Sequence, residues 1–114
     1  MEIQREVHED SVLVTVAGRV DAVTAGELEN TMRELVDRGR VNIVLDLEGV
    51  GYMSSAGLRV LFAYLQKLTA LHGQLYLAAV QEPILEIFDT VGFLSVFKLF
   101  KSSADALREM AKPL

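Results

Sequence analysis

An apolar run from Val41 to Leu47, interrupted only by Asn42 and Asp46, is followed by a glycine- and serine-rich stretch and then by a helical pattern from about Leu58. Seven residues suit a strand, and a helix directly behind it makes this part of the chain a strand-loop-helix unit of an α/β fold. The segment between, from Glu48 to Gly57, holds three glycines and the adjacent Ser54 and Ser55, and reads as a loop. Such a loop leaves the carboxyl end of a strand, where open α/β sheets usually carry their function. Both serines stand at the helix entrance. A hydroxyl there can accept from the first free N–H groups, and the helix dipole favours negative charge on it.

The rest of the chain supplies a frame for that unit. Ile3, Arg5 and Val7 alternate with Glu2, Gln4, Glu6 and His8, the period of an edge strand with one wet face. Glu9-Asp10 turns the chain into a denser strand, Ser11 to Ala17, so the two form an antiparallel hairpin. Gly18 to Val23 is expected as a loop. Thr24 and Glu27 have the spacing of a capping box, opening a helix with Leu28, Met32, Leu35 and Val36 inward and Gly39 as left-handed end. The strand at 41–47 should run parallel to its predecessor. Asp46 is expected to bond loop N–H groups around Gly49 and Gly51, the alternative being a place in the serine site.

The helix from about Ser55 to Leu71 buries Leu58, Leu61, Phe62, Leu65 and Leu68. Ser55, Arg59, Ala63, Gln66 and Ala70 form a second stripe, either a close-docking surface or an ordinary solvated face. His72-Gly73 ends this helix. A strand over 74–80 follows, then a helix opened by Glu82-Pro83 with Ile84, Leu85, Ile87, Phe88 and Val91 inward and Gly92 at its end. A fifth strand is expected over 96–100. Ser102 or Ser103 then caps a last helix carrying Leu107 and Met110, with Pro113 beyond it. The order ββαβαβαβα predicts one domain over residues 1–114. Its mixed, mostly parallel sheet has five strands and about four helices.

The function classes narrow quickly. A formal charge of −5 lacks the basic footprint of a nucleic-acid binder. Without cysteine there is no disulfide or thiolate metal site. The polar, alternating start does not read as a signal peptide, and no apolar run approaches a membrane span, so a cytoplasmic location is expected. Met53 stands where a nucleophile elbow needs glycine, and the downstream His72 closes the serine's own helix about 25 Å away. Gly49-x-Gly51-x-x-Ser54 is a weak partial dinucleotide fingerprint. His8 reads as a surface residue, and no histidine or carboxylate spacing suits a metal. A phospho-receiver would need an acidic pair after its first parallel strand, where Gly18-Arg19 stands instead. A binding module with neither catalytic apparatus nor cofactor is the expectation.

Val44-Leu45-Asp46-Leu47, followed by Val50-x-Tyr52-Met53-Ser54-Ser55-Ala56-Gly57-Leu58, resembles the signature of STAS domains, in particular bacterial anti-sigma factor antagonists. Gly18-Arg19-Val20-Asp21 resembles the family's second recurring stretch. The likeness covers essentially the whole chain. It implies a STAS-like domain that binds an anti-sigma factor/serine kinase of ATP-binding fold and releases a sigma factor. Aligning Gly57-Leu58 implies Ser55 as the phosphorylated serine, with Ser54 as second choice in the place usually held by aspartate. Asp21, Ser54, Ser55, Ala56, Arg59 and Ala63 are then the partner-binding residues, and a serine phosphatase reverses the switch. No nucleic acid or membrane is implied, and the chain is expected as a monomer or weak dimer. A non-phosphorylated STAS subunit of a transporter or other signalling complex is the alternative, and a small-ligand sensor a third.

Overall fold

The computed structural model describes residues 1–112. In chain order the elements are β1 (Glu2–His8), β2 (Ser11–Val20), α1 (Ala25–Asp37), β3 (Asn42–Met53), α2 (Ser55–Ala70), β4 (Gln74–Ala78), α3 (Glu82–Val91), a 3-10 turn (Phe93–Ser95), β5 (Lys98–Phe100) and α4 (Ser103–Met110). The expected order of strands and helices is present, with the 3-10 turn added. The strands lie side by side in chain order. β1 is antiparallel to β2, and every later neighbour is parallel.

Side chains alternate across a strand, so each strand serves two faces. Val12, Val14 and Val16 of β2, Ile43, Leu45 and Leu47 of β3, and Leu75 and Leu77 of β4 pack under α1, α2 and α3. Val44, Tyr76 and Ala78 point the other way and meet Ala106 and Met110 of α4. Burial on both sides explains why residues 41–47 are nearly all apolar. Tyr64 joins Leu61 and Leu68 in the buried face of α2, whereas Leu58, Phe62 and Leu65 are half-buried. Gly39 and Gly92 take positive φ at the helix ends, as their positions suggested.

Several boundaries differ from expectation. β2 runs on through Gly18 to Val20, and β3 runs on through Glu48 to Met53. The two extensions pair with each other, Arg19 opposite Tyr52 and Val20 opposite Met53, after two register shifts. Such irregularities bend and twist the pair beyond the rest of the sheet. β4 ends at Ala78 and β5 begins only at Lys98. Phe97, expected within that strand, is instead buried against Phe88 and Phe93. Val91, in the last turn before the left-handed Gly92, is half-exposed rather than inward.

The capping box at Thr24 does not form. Thr24 has helical backbone angles, and its side chain caps nothing in α1. Its hydroxyl accepts from Asp21 N–H (2.8 Å) and donates to the Arg19 carbonyl (2.8 Å), tying the helix entrance back to β2. Ser102, by contrast, accepts from Asp105 N–H and caps α4. Pro113 lies outside the described residues. Among the described residues, no helix is long and apolar enough to cross a membrane.

Candidate functional site

The long β2–β3 ribbon carries the serine pair beyond the end of β4 and onto the start of α2. Ser54 is extended (φ −82°, ψ 172°). Its N–H donates to the Val20 carbonyl at 2.8 Å, and its own carbonyl accepts from Leu58 N–H at 3.1 Å. Ser54 is thus the N-cap through its backbone alone. Its hydroxyl makes no capping bond, is sealed from solvent and has no partner. Ser55, one residue later, is the first residue of α2 and is exposed. The two serines look alike in the sequence, and the backbone turns one inward and one outward.

Gly57 makes this placement possible. A Cβ at that position would lie 2.7 Å from Met53 Cγ and 2.8 Å from Val20 Cγ1, both closer than packed carbons tolerate. A bare Cα lets the first turn of α2 sit directly on the ends of β2 and β3, and that seating points Ser55 away from the core.

Asp21 lies at the same end of the sheet. Its Oδ1 accepts from the N–H groups of Val23 and Thr24 at 3.0 Å, and the Thr24 hydroxyl is 3.1 Å away. The bond from Thr24 N–H is the largest cause holding this carboxyl below the usual carboxylate range. Burial opposes it as the second-largest effect, and the Thr24 hydroxyl, Val23 N–H and the charge of Arg19 add smaller lowering contributions. A carboxylate engaged in this way organises the turn into α1, whatever else it touches. The contribution is present above the ordinary carboxylate pKa of about 3.9 and is lost as pH falls through the lower folded value. Asp21→Asn keeps an acceptor oxygen but removes the charge. Its melting temperature should therefore fall below wild type at neutral pH, and the gap should shrink as pH falls below the ordinary carboxylate pKa and close once it passes below the lowered folded one. A gap of constant size in thermal melts across that range would show that the charge is not what counts.

Ala56, Arg59 and Ala63 line one wall of an open groove of about 370 Å³, together with Val60. Ala22, Ala25, Gly26 and Glu29, around the start of α1, form the other wall. Of the second stripe of α2, Arg59 and Ala63 therefore lie on one side of a cleft between helices, whereas Ser55, Gln66 and Ala70 do not line it. The α1 wall was missed in the sequence, although Ala22, Ala25, Gly26 and Glu29 have helical spacing. Also missed was Arg19, whose guanidinium sits 4.1 Å over the Tyr52 ring at the end of the β2–β3 ribbon.

Asp46 is apart from this site. It pairs with Thr15 and Ala78 within the sheet, about 25 Å of strand before Ser54, and accepts from Glu48 N–H at 2.9 Å. Its role is structural, though the bond goes to Glu48 rather than to Gly49 or Gly51. No group of three or more acidic or histidine side chains suited to a metal occurs among the described residues.

Known proteins with this sequence pattern and fold exist. The family model described as STAS domain matches residues 2–106. BtrV of Bordetella bronchiseptica is 32% identical over 102 residues, covering 90% of this chain and 88% of that protein. An anti-sigma-B factor antagonist of Staphylococcus epidermidis is 32% identical over 92 residues, covering 81% and 85%. The crystal structure of an anti-sigma factor antagonist from Mycobacterium paratuberculosis matches with a TM-score of 0.88 at 28% identity, covering 97% of this chain and 94% of that one.

Proposed function

The chain belongs to the STAS domain family, and from that premise we propose that it is an anti-sigma factor antagonist working by partner switching. In the unphosphorylated state it binds an anti-sigma factor through the groove between α1 and α2 and the adjoining corner at Ser55. The anti-sigma factor is also a serine kinase. Transfer of phosphate to Ser55 ends the binding, and a serine phosphatase restores it.

One observation carries the choice of residue. Ser55 is exposed at the first position of α2, one residue before the groove-lining Ala56, whereas the hydroxyl of Ser54 is shut away. A kinase must bring its nucleotide within bonding distance of the accepting oxygen, which only the exposed serine permits without rearrangement. Phosphate adds about −1.5 to −2 charge and is tolerated at a helix N-terminus, so the fold should survive it. The effect falls on the surface, where a partner would have to desolvate a new dianion.

Incubation with ATP and the cognate anti-sigma kinase, followed by mass spectrometry, should give one phosphate on wild type and on Ser54→Ala, and none on Ser55→Ala. By calorimetry Ser55→Ala should bind the kinase as well as unphosphorylated wild type does. Ser55→Asp should bind at least ~10-fold more weakly, about 1.4 kcal/mol. Phosphate appearing on Ser54, or equal affinities for the Ala and Asp forms, would overturn the assignment.

A further inference from the structure

Arg59 lies four residues after Ser55 on α2, so the two share one face of the helix, with Cβ atoms about 5–6 Å apart. Side chains on a helix lean toward its N-terminus. The Arg59 side chain therefore inclines back over the turn that begins with Ser55. Arg59 is exposed and has no ion-pair partner among the described residues. Glu29, across the groove, is directed to Arg33 of its own helix at 3.6 Å. Asp21 is occupied by the turn it organises. The first turn of α2 holds no acidic residue. A chain of net charge −5 thus keeps a free cation beside its exposed serine, and the same cation lines the groove.

We propose that Arg59 is the second half of the switch: free to pair with an acidic group of the partner while Ser55 is unmodified, and drawn onto the phosphate once Ser55 is phosphorylated. The inference rests on Ser55 being the modified residue, and it adds a reason for the loss of binding. Phosphorylation then introduces an anion and also takes from the groove the one arginine that lines it. An acid at position i and a base at i+4 is the favourable order on a helix, because each also faces the helix end that suits its charge. The guanidinium offers a two-pronged donor to phosphate oxygens, which lysine does not.

The test installs phosphoserine at position 55 genetically and needs neither kinase nor partner. Phosphorus NMR follows the second ionisation of the phosphate through pH in the wild-type background and in Arg59→Gln, Arg59→Lys and Arg19→Gln. The charged and titratable groups at this end of the molecule are Arg59 on α2, Arg19 and Tyr52 near the ends of β2 and β3, Asp21 just beyond β2, and Glu29 on α1. Arg59→Gln should move the midpoint upward by about 0.2–0.4 of a pH unit, because the dianion loses its partner. Arg59→Lys should recover part of that shift, and Arg19→Gln should produce less of it. An unchanged midpoint in Arg59→Gln would overturn the contact while leaving Ser55 as the modified residue. Absence of phosphate on Ser55 in the kinase incubation would instead remove the parent reading, and the installed phosphate would still report on the contact.

Discussion

A Gly26→Gln protein is expected to melt at or slightly above the wild-type temperature and to bind the anti-sigma factor at least ~30-fold more weakly, about 2 kcal/mol. The pairing of those two results follows from where Gly26 sits. It is the second residue of α1, and its φ is not in the left-handed region. A Cβ added there meets nothing within 4 Å. Neither backbone conformation nor close packing requires glycine. In a helix interior glycine is less favourable than most residues by roughly 0.5–1 kcal/mol. Glutamine should therefore raise the melting temperature by up to about 4 °C, less if the terminal turn frays. Outside the protein the situation reverses. Gly26 lines the groove opposite Ala56, Arg59 and Ala63, and a glutamine side chain would project into the space a docking partner must occupy. Gly26→Ala, which adds one methyl, should share the stabilisation and lose less affinity. Undiminished binding by Gly26→Gln would show that the partner docks elsewhere, and the reading of Ser55 would then need a different neighbouring surface.

How much of this was legible beforehand depended on how local the determining contacts are. The strand at 41–47 declared itself because both its faces are buried, which leaves an unmistakable apolar run. Its continuation to Met53 did not. Glu48, Gly49, Gly51 and Tyr52 are exposed, and only Val50 and Met53 turn inward, so the period of two is lost where β3 outruns β4 and pairs with β2 alone. Thr24 and Glu27 had the right spacing for a capping box, but spacing says nothing of a competitor three residues upstream. Asp21 and the Arg19 carbonyl claim the Thr24 side chain first. The difference between Ser54 and Ser55 has no sequence signature, since it arises from the direction in which an extended residue enters a helix. The groove needed the relative position of two helices separated in the chain by all of β3. Part of its α2 wall, Arg59 and Ala63, was nonetheless visible within a stripe of small or polar residues, because that side of the cleft lies on one element.

Gly73→Ala should show how differently the same substitution behaves elsewhere in this chain. Gly73 follows His72, itself at φ 62°, in the turn from α2 to β4. Its N–H donates to the Leu68 carbonyl at 2.7 Å, and the next N–H, of Gln74, donates to the Val41 carbonyl at 2.9 Å. The turn is thereby pressed against the chain entering β3. A Cβ on residue 73 would overlap the Val41 carbonyl oxygen and stand 2.8 Å from its carbonyl carbon. These are backbone atoms and cannot rotate away as a side chain might. Relief requires moving the start of β3, where Asn42 is paired with Gln74 and Ile43 lies between Val12 and Leu75. Replacing glycine by alanine restricts the unfolded chain and on that account alone would stabilise by about 0.4–1 kcal/mol. The overlap should outweigh this severalfold, for a net loss of at least about 3 kcal/mol against a typical stability of 5–15. For a domain of this size that corresponds to a fall in melting temperature of roughly 10–20 °C. Urea denaturation of Gly73→Ala and Gly26→Ala side by side gives the decisive comparison, with midpoints expected to move in opposite directions. Two midpoints that both rise would mean that the α2–β4 turn yields at little cost, and that its contact with Val41 does not hold the sheet in register.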